Sequence, residues 1–215
     1  MLSNIKETIQ NYEPKIYGNR RESAVLLPLI KRDGEWHILY EVRSQIVSQA
    51  GDSSFPGGSV EDGETFKEAA IRETMEELNL HENNIQMIGE IDYIVNNRMI
   101  IYCFVGELVD IAFEDIKPNL EVEQIYTIPV KYLLENEPSY FEVSFDPIFD
   151  EQFLKDQENK LAPFQLIEYT DRIPYYEIKN HRLWGYTANL TDRFIKIIRK
   201  TSAEKIHDKP SSFGK

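Results

Sequence analysis

The spacing of apolar positions changes several times along this chain, and each change marks an element. Ala24-Val-Leu-Leu-Pro-Leu-Ile30 is an unbroken apolar run of strand length, which predicts a buried strand. Trp36-His-Ile-Leu-Tyr-Glu-Val42 alternates, which predicts a second strand, and Asp33-Gly34 between the two is a hairpin signal. Residues 44–55 are polar and loop-like. From about Thr65 to Leu78 the period is helical, and Asn79 follows as a residue that tolerates a left-handed cap. Residues 85–95 and 99–109 predict two further strands around a turn at Asn96-Asn97. An acidic loop over 113–124 leads into a short strand, 125–128, and Pro129 opens a helix reaching about Leu134. The pattern between 135 and 171 is weak, aromatic and interrupted by Pro138, Pro147 and Pro163. Residues 175–179 predict a strand, 187–200 an amphipathic helix, and 3–12 a short polar helix. No repeat and no second domain is visible. The chain reads as one α+β domain over 1–201, or α/β/α layers about a mixed sheet, followed by a polar, disordered tail over 202–215.

Composition narrows the class of protein. Of 215 residues, 41% are apolar, enough for a substantial core. The formal charge of −13 repels nucleic-acid backbones, so no nucleic-acid partner is expected. Cys103 is the sole cysteine, which excludes an intrachain disulfide and fits a reducing compartment. The N-terminal residues lack the basic start and apolar run of a signal peptide, and no stretch reaches the ~20 apolar residues that cross a bilayer. The expectation is a cytoplasmic protein with no membrane partner.

The helix over 65–78 carries the chemistry. At ~100° per residue, Glu73, Glu76 and Glu77 fall within one arc, with Ala69 and Ala70 one turn earlier on that side. Ile71, Met75 and Leu78 fall on the opposite side and are expected to face the core. Like charges at helical spacing repel by a few tenths of a kcal/mol per pair. Either all three face water or something positive offsets them. Just upstream, Gly57-Gly58 lets backbone approach closely and Pro56 stiffens the entry. Carboxylates beside an open backbone loop suit a hard divalent cation, Mg²⁺ or Mn²⁺, bridging to phosphate oxygens.

The spacing is more specific than the composition. Gly58, then Glu64, then Arg72-Glu73-Thr74-Met75-Glu76-Glu77 and Leu80 resembles the pattern GX5EX7REUXEEXGU of the Nudix hydrolases. Asn79 stands where that pattern usually has glycine. The resemblance implies an α/β/α sandwich with this helix on one face of a mixed sheet, and hydrolysis of a nucleoside diphosphate linked to another moiety. It implies that Glu73, Glu76 and Glu77 bind metal, that the Gly57 carbonyl joins them, and that Arg72 orients the glutamates. Glu64 becomes an accessory acid. The general base falls to a box glutamate or to an acid of the 113–124 loop, Glu121 or Glu123.

Three segments outside the box bear on the substrate. Residues 39–44 with Gly51 and Phe55-Pro-Gly-Gly58 resemble the LLTxRS…GxxxFPGG run of the coenzyme A pyrophosphatase branch, although Tyr40 and Glu41 depart from it. Residues 121–129 resemble its EVxxxFxVP segment, which favours Glu121 as the loop acid. His181-Arg-Leu-Trp-Gly-Tyr-Thr-Ala188 resembles its HxIWGxTA segment. The resemblance implies a CoA-like small-molecule substrate, with Arg43, Ser44 and Gly58 as substrate-binding positions. Arg20, Arg21 and Arg98 are further cations for a polyanion, and the aromatics of 135–171 an apolar wall or a homodimer surface. Other readings are a hydrolase of ADP-ribose, NADH or dinucleotides, a nucleotide-binding regulator without catalysis, and an RNA-decapping enzyme.

Overall fold

The computed structural model describes residues 2–14, 18–145 and 169–207. In chain order the elements are α1 (Leu2–Gln10), β1 (Arg21–Arg32), β2 (Glu35–Arg43), β3 (Ser53–Ser54), β4 (Gly57–Ser59), α2 (Phe66–Leu78), β5 (Ile85–Glu90), β6 (Ile94–Val95), β7 (Met99–Leu108), β8 (Val122–Pro129), α3 (Val130–Glu135), β9 (Ser139–Phe145), β10 (Tyr169–Ile178), β11 (His181–Trp184) and α4 (Gly185–His207). Asp33 and Gly34 both take positive φ, 51° and 81°, so the predicted β1–β2 hairpin closes through a turn that matches strand twist.

Eight strands form one mixed sheet. Its spine runs β3-β2-β1-β7-β5, with β4 on β1, β6 on β7 and β8 on β2. β1 and β7 run parallel from Arg21↔Met99 to Leu29↔Glu107, and the other pairs are antiparallel. The other edge of β1 is shared. Its C-terminal part, Leu29–Arg32, pairs with β2, whereas Ser23–Val25 pairs with β4. Beyond Ile38, β2 therefore leaves β1, and the 53–59 segment fills the opening between them.

Alternation along these strands builds two faces. Ala24, Leu26 and Phe104 meet Ala69 and Ala70 of α2, while Leu39 and Ile30 meet Leu78 and Leu80. On the opposite face Leu27, Ile38, Tyr40 and Val105 meet Ala188, Leu190, Phe194 and Ile195 of α4. The result is the three-layer α+β arrangement expected from the sequence.

Several local readings change. α2 does not turn Ile71 and Met75 to the core. Its buried positions are Ala69, Ala70, Thr74, Glu77 and Leu78. Small alanines let β1 come close, and Glu73 and Glu77 lie against Gly57-Gly58 as the sequence suggested, while Glu76 stays exposed. The strand expected over 85–95 is two, because β5 bulges between Met87 and Gly89 and ends before β6 begins. β3 lies within what reads as loop. The strand expected over 175–179 belongs to a longer β10, which with β9 and β11 forms a separate three-stranded sheet that the weak aromatic pattern did not reveal. α4 starts two residues before Thr187 and continues through His207, into the segment read as a tail. Residues 208–215 and the aromatics Phe149 and Phe153 lie outside the described residues.

Tyr126 ties the layers together. Its ring stacks on Tyr40 and, at 3.7 Å and 3° between planes, on His181 of β11. Its hydroxyl donates to Ser53 Oγ at 2.6 Å inside the core. Tyr126→Phe leaves that serine hydroxyl buried without its partner. We expect a loss of about 1–3 kcal/mol, read as a lower urea midpoint at an unchanged denaturant slope.

Candidate active site

α2 begins at a capping box. The Thr65 hydroxyl accepts from the Glu68 amide, and the Glu68 carboxylate accepts from the Thr65 amide at 2.9 Å. It ends at Asn79 in the left-handed region, φ 51° and ψ 47°. Asparagine thus fills the conformational role that glycine has in the family pattern. Between these fixed ends the acidic residues are held in definite places.

Two glycines make the close approach possible. Gly57 sits at φ +152°, and a Cβ there would lie 2.3 Å from the Ala24 carbonyl oxygen. At Gly58 a Cβ would lie 2.3 Å from Glu73 Oε1. The Glu73 carboxylate therefore rests directly on the Gly58 backbone. The Gly57 amide donates to Glu77 Oε2 at 2.8 Å. Glu77 is 6% exposed.

Arg72 holds the outer part of the site. Its Nε and Nη2 donate to the two oxygens of Glu64 at 2.9 and 3.1 Å, and Nη1 reaches Glu73 Oε1 at 2.9 Å and Glu76 Oε2 at 3.4 Å. Nη2 also donates to the Ser59 carbonyl at 3.0 Å. One guanidinium thus joins three carboxylates and the end of β4. The Glu64 carboxyl is held below its usual range, first by the Arg72 hydrogen bonds.

The 113–124 loop closes the site from the other side. The Asn119 amide donates to the Glu77 carbonyl at 2.8 Å, and Asn79 Nδ2 to the Lys117 carbonyl at 2.7 Å. Ser44 ties the end of β2 to the same loop. Its amide donates to the Glu121 carbonyl at 2.9 Å and its hydroxyl to the Leu120 carbonyl at 2.8 Å. Glu121 and Glu123 are both exposed, but it is the Glu121 charge that acts on Glu73 and Glu77. Arg43, whose Nε donates to the Ser48 carbonyl at 2.7 Å, acts on Glu77 with the opposite sign. Arg20 donates to the Asn96 carbonyl, and Arg21 to Oγ of Ser59, the residue whose carbonyl Arg72 holds.

Sequence reasoning passed over Glu41 as a mere departure from a motif. It is 1% exposed, and its Oε1 has no hydrogen-bond partner. The signal was available: an acid in an alternating strand, in register with Leu39 rather than with a solvent-facing position.

Burial dominates the electrostatics. It pushes the Glu77 carboxyl up to about 7 and raises Glu73 and Glu41 as well, with neighbouring carboxylates adding to the rise. The oxygen donors gathered here suit a hard divalent cation. Among the described residues, no three acidic or imidazole groups enclose an ion as they stand, since Arg72 engages Glu73 and Glu76. Rotation of the exposed Glu76 and of Glu73 away from Arg72 would open the donors to an ion.

A second hollow, about 400 Å³, lies among Asp52, Phe141, Tyr175, His181, Arg182 and Trp184. Phe141 and Trp184 thus come together, as parts of the aromatic stretch and of the 181–188 segment. Tyr140 and Phe145 are exposed on β9.

The match of the Nudix domain model to residues 20–144 shows that the chain belongs to the Nudix family. The chain is 28% identical over 145 residues to Nudix hydrolase 3 of Caenorhabditis elegans, covering 62% of the chain and 59% of that protein. It is 31% identical over 121 residues to the peroxisomal coenzyme A diphosphatase NUDT7 of Mus musculus, covering 54% of the chain and 50% of that protein. With the mitochondrial coenzyme A diphosphatase NUDT8 of Mus musculus it shares 25% over 181 residues, 82% of the chain and 77% of that protein. The chain thus spans about half to three fifths of the length of the first two. No helix among the described residues is long and apolar enough to cross a membrane.

The raised carboxyls set a pH dependence for the metal-free protein. Glu77 ionises near 4.5 when unfolded and near 7 when folded, so the folded state holds the extra proton between those values. That contribution is present below 4.5 and is lost as pH rises through 7. His37 and His181, held below 6.5 by burial, work in the opposite direction only below that pH. In chelator, the melting temperature is expected to fall from pH 6.5 to about pH 8, and divalent cation is expected to reverse the fall. A rise in differential scanning fluorimetry over that window would contradict the assignment.

Proposed function

We propose that the chain hydrolyses a nucleoside diphosphate linked to another moiety, with Mg²⁺ or Mn²⁺, and that its substrate is CoA or an acyl-CoA. Water is added across the diphosphate, giving 3′,5′-ADP and 4′-phosphopantetheine or its acyl form. The observation that carries the hydrolytic reading is the Glu73–Glu77 face of α2 packed on Gly57-Gly58, with Arg72 joined to Glu64, Glu73 and Glu76. The CoA reading is supported by the Arg43, Phe55–Gly58, 121–129 and 181–188 segments and by the two coenzyme A diphosphatases among the relatives.

Glu73, Glu76 and Glu77 would hold the cation, with the Gly57 carbonyl as a further ligand. A bound cation supplies charge neutralisation at the diphosphate oxygens and a more acidic water. The rest belongs to this chain. The Gly57 amide fixes one oxygen of Glu77, leaving the other for an ion. Arg72 keeps Glu73 and Glu76 from scattering into solvent, while Glu64 anchors that arginine. Glu121 is the candidate acceptor for a proton from water, held to the site by Ser44 and Asn119. In this reading Ser44 positions the loop rather than touching substrate. Arg43 would meet a phosphate oxygen of the substrate through its guanidinium fork. The hollow between Phe141 and Trp184 is a candidate seat for the part of the substrate beyond the diphosphate. We place the reaction in the cytoplasm, within one domain that includes the whole of α4, through His207.

Incubation of CoA in oxygen-18 water with Mg²⁺ or Mn²⁺, followed by mass spectrometry, is expected to yield the two phosphorylated products with one labelled oxygen in total. A panel of CoA, acetyl-CoA, ADP-ribose, NADH and a dinucleoside polyphosphate separates the CoA reading from its rivals. Glu77→Gln is expected to lower turnover by more than about 100-fold, since even residues behind metal ligands cost 10- to 100-fold. Normal turnover in that variant would defeat the metal-site assignment. Intact box carboxylates argue against a binding-only regulator.

A further inference from the structure

The buried acid of β2 sits on the same face of the sheet as the acidic helix. Tyr40, one residue earlier, points to the α4 face, where its hydroxyl lies 3.1 Å from Thr191 Oγ1. Leu39 points the other way and packs against Leu78 of α2. Strand alternation therefore puts Glu41 on the α2 side, two residues along from Leu39. Its neighbours across the strand are Ser54 of β3 and Ile125 of β8. The position lies where β2 has parted from β1 and the 53–59 segment passes behind the cluster. Of the charges around Glu41, Glu77 acts on it most strongly; Glu121 and Glu73 add the same sign, and Arg43 opposes them.

An ionised carboxylate removed from water costs several kcal/mol unless something positive meets it. Arg43 is the cation acting on Glu41, yet its Nε is directed to the Ser48 carbonyl and Glu41 Oε1 is left without a hydrogen bond. The motif that residues 39–44 resemble carries threonine here, so a carboxylate is a feature of this chain and not of the pattern.

We propose that Glu41 is a further carboxylate of the divalent-cation site, reaching the ion from the sheet while Glu73, Glu76 and Glu77 reach it from the helix. The proposal rests on the cation site described above and adds to it one oxygen donor from β2. Such a site favours Mn²⁺ or Mg²⁺ held chiefly by protein carboxylates, with fewer retained waters than a helix-only site would have.

Isothermal titration of the metal-free full chain with Mn²⁺ alone tests this, together with its melting temperature with and without Mn²⁺. Glu41→Gln, Glu41→Thr and Glu77→Gln are compared with the unaltered protein. If Glu41 is a ligand, Glu41→Gln and Glu41→Thr bind Mn²⁺ about 10- to 100-fold more weakly. Their metal-free melting temperatures stay equal or rise, because an unpaired buried carboxylate has gone, and their gain in melting temperature on adding Mn²⁺ shrinks. Should both variants bind Mn²⁺ like the unaltered protein while Glu77→Gln does not, Glu41 is no ligand and the helix site stands. Should Glu77→Gln also bind normally, or the unaltered protein bind no Mn²⁺, the proposed cation site itself fails. A fall in metal-free melting temperature for both Glu41 variants, with unchanged Mn²⁺ affinity in the folded fraction, assigns Glu41 a structural role and overturns the proposal.

Discussion

Everything at this site follows from packing carboxylates against main chain that only glycine can supply. The Cβ distances at Gly57 and Gly58 are far below van der Waals contact. Any side chain there would push β4 off β1 or the Glu73 carboxylate off its seat. The sequence accepts two flexible residues in β4, at a cost in backbone entropy, because a carboxylate must come up against the peptide. With the carboxylates so placed, α2 cannot be an ordinary amphipathic helix. Its inner face is alanine, threonine and glutamate with Leu78 at the end, while Ile71 and Met75 are left half-exposed beside Arg72.

The sheet accommodates this by dividing one strand edge. β1 gives its C-terminal part to β2 and its N-terminal part to β4, so two antiparallel partners diverge from a single strand. The divergence admits the 53–59 segment between them, and the loop over 113–124 is tied to the same region through Asn119, Asn79 and Ser44. Acidic groups therefore converge from a helix, a strand and a loop. Their mutual repulsion is concentrated in one place and partly offset by two arginines, Arg72 and Arg43.

What could be read beforehand, and what could not, has a physical pattern. α2 was legible because a capping box, a helical period and a left-handed cap are local signals, and β1 with β2 because Asp-Gly forces their hairpin. The face of α2 was misjudged at Ile71 and Met75, though not at Leu78, since hydrophobicity normally decides which side is inside and here the carboxylates' contacts with the backbone share in it. β9 was missed because it is exposed along most of its length, and β11 because four residues are too few to establish a period. The inward position of Glu41 was legible from the alternation of β2, but its nearness to the α2 carboxylates depends on the tertiary placement of β2, which no local signal carries. Glu121, in contrast, was named from its segment, and its charge acts on Glu73 and Glu77.

The third layer has a consequence for how the chain can be divided. The portion matching the Nudix domain model ends at residue 144, yet Ala188, Leu190, Phe194 and Ile195 fill the sheet face opposite α2. Excision at that boundary would separate β9 from β10 and strip α4 from Leu27, Ile38 and Tyr40. The recognisable unit is therefore smaller than the folding unit, and a fragment cut to the recognisable length would present a bare apolar sheet and self-associate.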